Sequence, residues 1–432
     1  MFHEPRPASV LVRAATLAGV PVPAPSRPAS QSSSAGGAHE PPLDLLVVGG
    51  GPAGSAAALR ALQLRPDARV MILDAADFPR DKTCGDGIAP HGLDVLRGLG
   101  VTDVTRGYHP VDRMRLRTPG GAEVATPSER ATHVIPREVF DARLVAAARA
   151  RGALFTRRRV RALEVIPADG PGKPAMVALD GGALRARVVI GADGANSTVR
   201  RALGIGPNPP EGLAIAVRAY ADAPKEDRPP EQLIHMTDEG WPAYAWSFPI
   251  GDGRANIGYG MLRSQLRDSA GTPKDVLHGT LARLLPDTPA YAGTLRAHHL
   301  PLSTHRPRLP DGPVLLAGDA ASLINPLTGE GIYYALLSGS LAGGAAITDP
   351  GPAAGQVYRR ALHRELGRHL RHTTLLADLA GRHRPLMDAA VRSASRRTDL
   401  YDSLVEIGLG KGTIPAASLA RLALRRAVRG LR

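Results

Sequence analysis

Three stretches of the chain share one pattern: an apolar run, a glycine-rich break, and a segment of helical character. The first, "LDLLVVGGGPAGSAAALRALQL", begins at Leu43, and its apolar run from Leu45 to Val48 marks a buried strand. "GALRARVVIGADGANSTVR" (182–200) and "GPVLLAGDAASLINPLTGEGIYYALLSGSLAGGAAI" (312–347) repeat the pattern. A further apolar run, "ARVMILDA" (68–75), follows the first helix and completes a strand–helix–strand unit. From about 211 to 305 the chain instead alternates apolar and polar residues, the two-residue period of half-buried strands. Beyond about 350 the pattern is mostly helical. The predicted class is therefore α/β. A Rossmann-like nucleotide-binding domain is expected in two pieces, 43–205 and 300–350. A β-rich substrate-binding domain, 206–299, is expected between them, with a basic helical region over 351–432.

Residues 1–42 stand apart. "PVPAPSRPASQSSSAGGAHEPP" is too rich in Pro, Ser and Ala to bury a core, and a disordered extension is expected there. It is poor in acids, as targeting segments are, yet shows no signal-peptide apolar region; a misassigned start fits equally well.

Composition sharpens this picture in three ways. The chain has 432 residues and a single cysteine, Cys84, which excludes a disulfide framework and suits a reducing, cytoplasmic compartment. Cys84 also lacks the neighbouring ligands of a zinc site, and no metal is expected. No run of 18 apolar residues is present, so no transmembrane helix is expected. The net charge is +14, and residues 359–432 hold 16 Arg and Lys against 6 Asp and Glu. "SLARLALRRAVRGLR" (418–432) reads as a basic amphipathic helix, either a solvated face or one drawn to an anionic membrane surface. No nucleic-acid recognition motif accompanies the charge, so no nucleic-acid partner is expected.

The glycine breaks carry the chemistry. Gly49-x-Gly51-x-x-Gly54 joins the first strand to the first helix. The first glycine permits the tight turn, the second admits a pyrophosphate to the backbone, and the third lets helix and strand pack closely. Asp74 ends the next strand, where a carboxylate accepts from a ribose hydroxyl. NAD and FAD both satisfy this much. The far end of the chain favours FAD: Gly318 and Asp319 end a buried strand, and Pro326, Gly329 and Gly331 open a helix. Backbone N–H groups there suit the pyrimidine edge of a reduced, anionic flavin.

Together, Gly49–Gly54, "GADG" (191–194) and "GDAASLINPLTGEGI" resemble the FAD-dependent oxidoreductases with the p-hydroxybenzoate hydroxylase fold. "CGDGIAP" (84–90) and "YAWSFPIGDGRANIGYG" (244–260) narrow the resemblance to the geranylgeranyl reductase family, which includes digeranylgeranyl-lipid and menaquinone side-chain reductases. That family's Tyr-x-Trp-x-Phe-Pro and Gly-x-Gly pattern is met by Tyr244, Trp246, Phe248, Pro249, Gly258 and Gly260. The resemblance covers roughly 43–345. It implies FAD held by Gly49, Gly51, Gly54, Asp74, Gly318, Asp319, Pro326, Gly329 and Gly331. It also implies Arg137 near the cofactor and the loop of Cys84 and Gly85 beside the flavin.

The expected activity is reduction of C=C bonds in a polyprenyl chain carried by a lipid, a quinone or a diphosphate. An isolated alkene needs a proton donor as hydride arrives, and aromatic faces favour the developing cation. Cys84, with Lys82 able to lower its pKa, is a candidate for tuning the flavin, donating a proton, or simply packing. Asp86 reads as a turn former before Gly87. Tyr244, Trp246 and Phe248 alternate, so they share one strand face as a catalytic and substrate-binding wall with Gly258 and Gly260. His133 and His235 read as structural or surface residues. The electron donor is expected to be NADPH or a reduced ferredoxin, and loose attachment to the membrane follows from an insoluble substrate. A flavin monooxygenase or halogenase, and a prenyl-binding escort without redox chemistry, are the competing readings.

Overall fold

A computed structural model of the chain describes residues 42–166, 176–181, 184–224, 229–266 and 272–414. The expected extension, apart from residue 42, and the basic stretch 418–432 lie outside the described residues.

The apolar runs seen in the sequence become the centre of a largely parallel sheet. Its order is Leu154–Arg157, Val70–Asp74, Leu43–Val48 and Leu184–Gly191, all parallel. Val314–Leu316 joins Leu184–Gly191, also parallel, while Met176–Leu179 and Leu163–Ile166 extend the sheet antiparallel. Leu45, Leu46 and Val47 have no exposed surface. Both faces of this strand are covered, so the run is continuous rather than alternating. Each such side chain contributes roughly 1.5–3 kcal/mol of burial.

The helices Pro52–Leu64 and Ile332–Thr348 pack against one another through small residues. A Cβ on Gly339 would lie 2.0 Å from Ala53 O, and one on Gly343 would lie 2.1 Å from Ala57 O. Two rows of residues four apart thus meet backbone to backbone, which only glycine and alanine allow. This packing brings the first and third glycine-rich breaks to the same end of the sheet as the second. Ala192 N donates to Val48 O at 2.8 Å and Ala317 N to Gly191 O at 2.9 Å, so three strands end in register there.

The second sheet has eight strands. Its order is Arg296–Pro301, Leu213–Asp222, Arg254–Leu262, Ala243–Pro249, Glu231–Thr237, Pro110–Arg117, Glu123–Val134 and Gly87–Ile88. It reaches beyond the 206–299 segment, because its last three strands come from earlier in the chain. Glu231–Thr237 pairs with Pro110–Arg117 across more than a hundred residues of chain, a choice that local periodicity cannot specify. After the sheets come the helices Ala354–Arg382, Pro385–Ala394 and Thr398–Leu409. Val391, Ala394 and Tyr401 of the last two pack with Ala122 and Val124 at the edge of the second sheet. Among the described residues no helix is long and apolar enough to cross a membrane.

Candidate functional site

A cavity of about 540 Å³ runs between the two sheets. Of the residues singled out in the sequence, Gly49, Gly51, Asp74, Cys84, Gly85, Arg137, Tyr244, Trp246, Phe248, Gly260, Gly318, Asp319, Pro326, Gly329 and Gly331 line it. Gly54 and Gly258 stand off the cavity surface, each packed against a residue that lines it, Gly49 and Trp246 respectively.

At one end the backbone builds the site. Gly49 has φ +106°, and a Cβ there would lie 2.2 Å from Ala192 O, so the first glycine break makes room for the "GADG" turn. A Cβ on Gly54 would lie 1.8 Å from Gly49 O. Gly51 and Pro52 start the first helix with no side-chain cap, leaving its N–H groups open to an anion. Arg80 and Arg137 approach this turn, their Nη2 atoms 3.7 and 3.8 Å from a Cβ placed on Gly51. Arg137 is held by Asp141 through two bonds of 2.7 and 2.8 Å, and Arg80 donates to the same carboxylate at 3.0 Å. Asp74 Oδ2 accepts from Gly50 N at 2.8 Å and Oδ1 from Ala76 N at 3.0 Å, which fixes the carboxylate at the cavity edge. Asp193 of "GADG" caps the following helix, accepting from Ser197 Oγ and from Thr198 N.

Further in, Asp319 is half-buried on the cavity wall; desolvation pushes its carboxyl pKa up, while Lys82 and Arg137 pull it down. Gly331 begins the helix Ile332–Thr348, again without a side-chain cap. This donor set fits FAD: cations and an open helix end for the pyrophosphate, an acid for the ribose, and glycine backbone for the ring. The cavity volume also falls within the range of cofactor sites, roughly 300–1,000 Å³.

At the other end side chains build the site, and strand register explains the sequence spacing. Tyr244 pairs with Gly260, Trp246 with Gly258 and Phe248 with Asn256. A Cβ on Gly258 would lie 2.0 Å from Cζ2 of Trp246. The glycine exists so that the indole can lie flat across the neighbouring strand. The three rings form a continuous row, with centroids 6.0 and 6.4 Å apart. Tyr244 Oη donates to Thr328 O at 2.5 Å and so ties the row to the loop that carries Gly329.

Cys84 is half-buried on the cavity wall. Burial pushes its thiol pKa up, opposed chiefly by the Arg137 guanidinium. Lys82 also lines the cavity and interacts electrostatically with Cys84, while Arg137 is the larger influence on the thiol. Lys82 Nζ sits 2.5 Å from His298 Nε2, and burial lowers the Lys82 pKa to about 8. Burial together with Lys82 depresses His298 to about 3. Asp86 does adopt a turn conformation, with φ +59°, yet it has no exposed surface and does more than turn the chain. It accepts from Tyr220 Oη at 2.8 Å and Asn256 Nδ2 at 2.7 Å, and burial raises its pKa to about 6.

Sequence reasoning missed His298, Asn256 and Glu330. Glu330 lines the cavity, accepts from Tyr333 N at 2.7 Å, and is pushed by burial to about 7. It lies within the "TGEG" stretch, so its position was visible while its burial was not. It also missed an apolar part of the wall formed by Trp241 with Ala377, Ala380, Met387 and Leu409, the last four supplied by the C-terminal helices. His133 and His235 stay off the cavity; Gln232, Ile234 and Met236 line it, so His235 points the other way.

Residues 43–337 match the family model described as an FAD binding domain. The menaquinone reductase of Mycolicibacterium smegmatis is 35% identical over 318 residues, covering 69% of this chain and 75% of that protein. Digeranylgeranylglycerophospholipid reductase 1 of Methanopyrus kandleri is 32% identical over 321 residues, covering 71% and 80%. A crystal structure of a geranylgeranyl bacteriochlorophyll reductase-like protein from Thermoplasma acidophilum shares the fold, with a TM-score of 0.70 at 22% identity over 84% of this chain and 96% of that one. The glycine turns at one end of the cavity and the aromatic row at the other thus occur in a chain that belongs to the FAD-dependent geranylgeranyl reductase family.

Proposed function

We propose that the chain reduces C=C double bonds of a polyprenyl chain borne by an isoprenoid lipid, a menaquinone or a prenyl diphosphate. The observation that carries this reading is one continuous cavity. It joins the glycine turns and the Tyr244–Trp246–Phe248 row with an apolar wall from Trp241 and the C-terminal helices. FAD held by these turns would, when reduced, supply the hydride.

The protein's own residues must do the rest. The aromatic row excludes water and faces the carbon on which positive charge develops. Burial keeps the Cys84 thiol protonated at neutral pH, so Sγ holds a proton at the cavity wall. Addition of that proton and one hydride saturates one bond, and solvent restores the thiol proton. Arg137, clamped by Asp141, lies beside both the pyrophosphate end and Cys84. We assign the electrons to NADPH or a reduced ferredoxin. We place the protein on the cytoplasmic membrane face, where its substrate resides; the excess of Arg and Lys beyond residue 358 supports that placement.

The test is direct. The FAD-loaded protein is reduced anaerobically with dithionite and mixed with menaquinone or a geranylgeranyl lipid. Flavin reoxidation with a product heavier by two hydrogens per bond is expected. A flavin that ignores prenyl chains but reoxidises in air with an oxygenated or halogenated product would replace this reading with monooxygenase or halogenase chemistry.

A further inference from the structure

Behind the cavity wall lies a buried polar cluster that the chemistry above does not use. Its centre is Asn256, in the strand Arg254–Leu262, with no exposed surface. Asn256 Oδ1 accepts from Trp246 Nε1 at 2.8 Å. Asn256 Nδ2 donates to Cys84 O at 2.8 Å and to Asp86 Oδ2 at 2.7 Å. Asp86 also accepts from Tyr220 Oη at 2.8 Å and from Arg137 N at 3.3 Å. Trp246 and Cys84 line the cavity; Asn256 and Asp86 stand behind them.

The partners dictate the amide's orientation. An indole N–H only donates, and a carbonyl or an ionised carboxylate only accepts. One acceptor and two donors in one plane are therefore required, and at this length only asparagine has them. Aspartate lacks the donors, leucine lacks both functions, and glutamine adds a methylene to a packed core. Strand register shows how the amide reaches its partners. Asn256 occupies the third place in the row whose other two members, Gly258 and Gly260, are bare, so it extends diagonally to the indole lying over Gly258. Away from water, bonds of this kind are strong and costly to leave unmade.

We propose that Asn256 is a positioning residue: its amide locks the Trp246 indole and the Cys84 loop into one arrangement, so that ring and thiol face the same ligand space. The kinetic consequence rests on the reductase reading; the structural one does not.

Cys84 is the only thiol in the chain, so its reactivity reads the loop directly. The chain has 2 Trp, so a Trp241→Phe background leaves Trp246 as the sole indole reporter. In the FAD-loaded protein on that background, Asn256→Leu is expected to speed the reaction of Cys84 with dithiodipyridine by about tenfold or more. It is also expected to shift Trp246 emission to the red and to lower kcat for prenyl reduction, with FAD content unchanged. Should the leucine variant fail to fold, Asn256→Asp keeps the shape and the acceptor for Trp246 but removes both donors. Its thiol is expected to be unprotected at neutral pH and to regain protection in acid, as the new carboxyl and Asp86 share a proton. An unchanged thiol rate and unchanged emission in a folded variant overturn the proposal. If the parent protein reduces no prenyl chain, the reductase reading falls, while the thiol and emission readings still decide the role of Asn256.

Discussion

The two ends of the cavity are built on different terms. The nucleotide end is backbone: helix N–H groups, turns held open by glycine, and one acid fixed by two main-chain amides. Its first turn, open helix end and Asp74 come from a single strand–helix–strand unit. The aromatic end is side chain, assembled from the Cys84 loop, adjacent strands of the second sheet and the C-terminal helices. A backbone site forbids a Cβ at particular positions, and that prohibition is written as glycine. A side-chain site asks only that distant residues meet, and distance along the chain leaves no local mark.

The largest test of this contrast is Gly54→Val. The new side chain would begin 1.8 Å from Gly49 O, where neither backbone can yield. Loss of FAD binding is expected, read as absent flavin absorbance after gel filtration with excess cofactor; a normal flavin content would break the backbone account. Next is Gly258→Val, whose Cβ would strike the Trp246 ring at 2.0 Å. Turnover should fall by about tenfold or more while FAD affinity stays within about twofold, because only the aromatic end is disturbed. A parallel loss of FAD would mean the two ends are one unit.

Asp74→Ala should do the reverse. FAD affinity is expected to weaken by about tenfold, or ~1.4 kcal/mol, with turnover at saturating FAD unchanged. Titration of flavin fluorescence would measure it, and a drop in saturated turnover would count against the separation.

Acidity sharpens the same contrast at Asp86. Its folded pKa is raised from the usual 3.8 to about 6, so the folded state binds this proton more tightly than the unfolded chain does. This group's contribution to stability is therefore greatest below about pH 4 and declines as pH rises towards 6. Activity should run the opposite way, falling as pH drops through about 6, because the ionised carboxylate is the form that accepts from Asn256 and Tyr220. As pH rises from about 4 to about 6, the Tm of the wild type relative to Asp86→Asn should fall while its relative turnover rises; a Tm difference and turnover ratio that do not change with pH would count against this role for Asp86. The smallest effect is expected from Tyr244→Phe. It removes the bond to Thr328 O, worth about 1 kcal/mol, and should lower Tm slightly while keeping most of the activity.

The legibility of this protein in its sequence follows the same division. Gly49, Asp74 and Gly318 announced a nucleotide site because steric exclusion and strand-end geometry act over a few residues. The aromatic alternation at Tyr244–Phe248 announced a wall, and register later showed why Gly258 and Gly260 accompany it. Asp86 looked like a turn former, and its φ of +59° agrees; its burial among Tyr220, Arg137 and Asn256 had no sequence signal. Likewise the largest charge opposing the rise of the Cys84 pKa is Arg137, near in space, rather than Lys82, near in sequence. His298 drew no notice because its partner, Lys82, is 216 residues away.

By itself the sequence determined the βαβ core, the glycine turns and the family. Each depends on short-range sterics: which residues fit a buried strand, a tight turn, or a helix packed at backbone distance. Only the tertiary structure decided which strands complete the second sheet, which cation faces the thiol, and which amide holds the indole. Those outcomes depend on long-range pairing and on burial. Burial alone turns an ordinary Asp, Lys or Cys into a group whose charge state the protein controls.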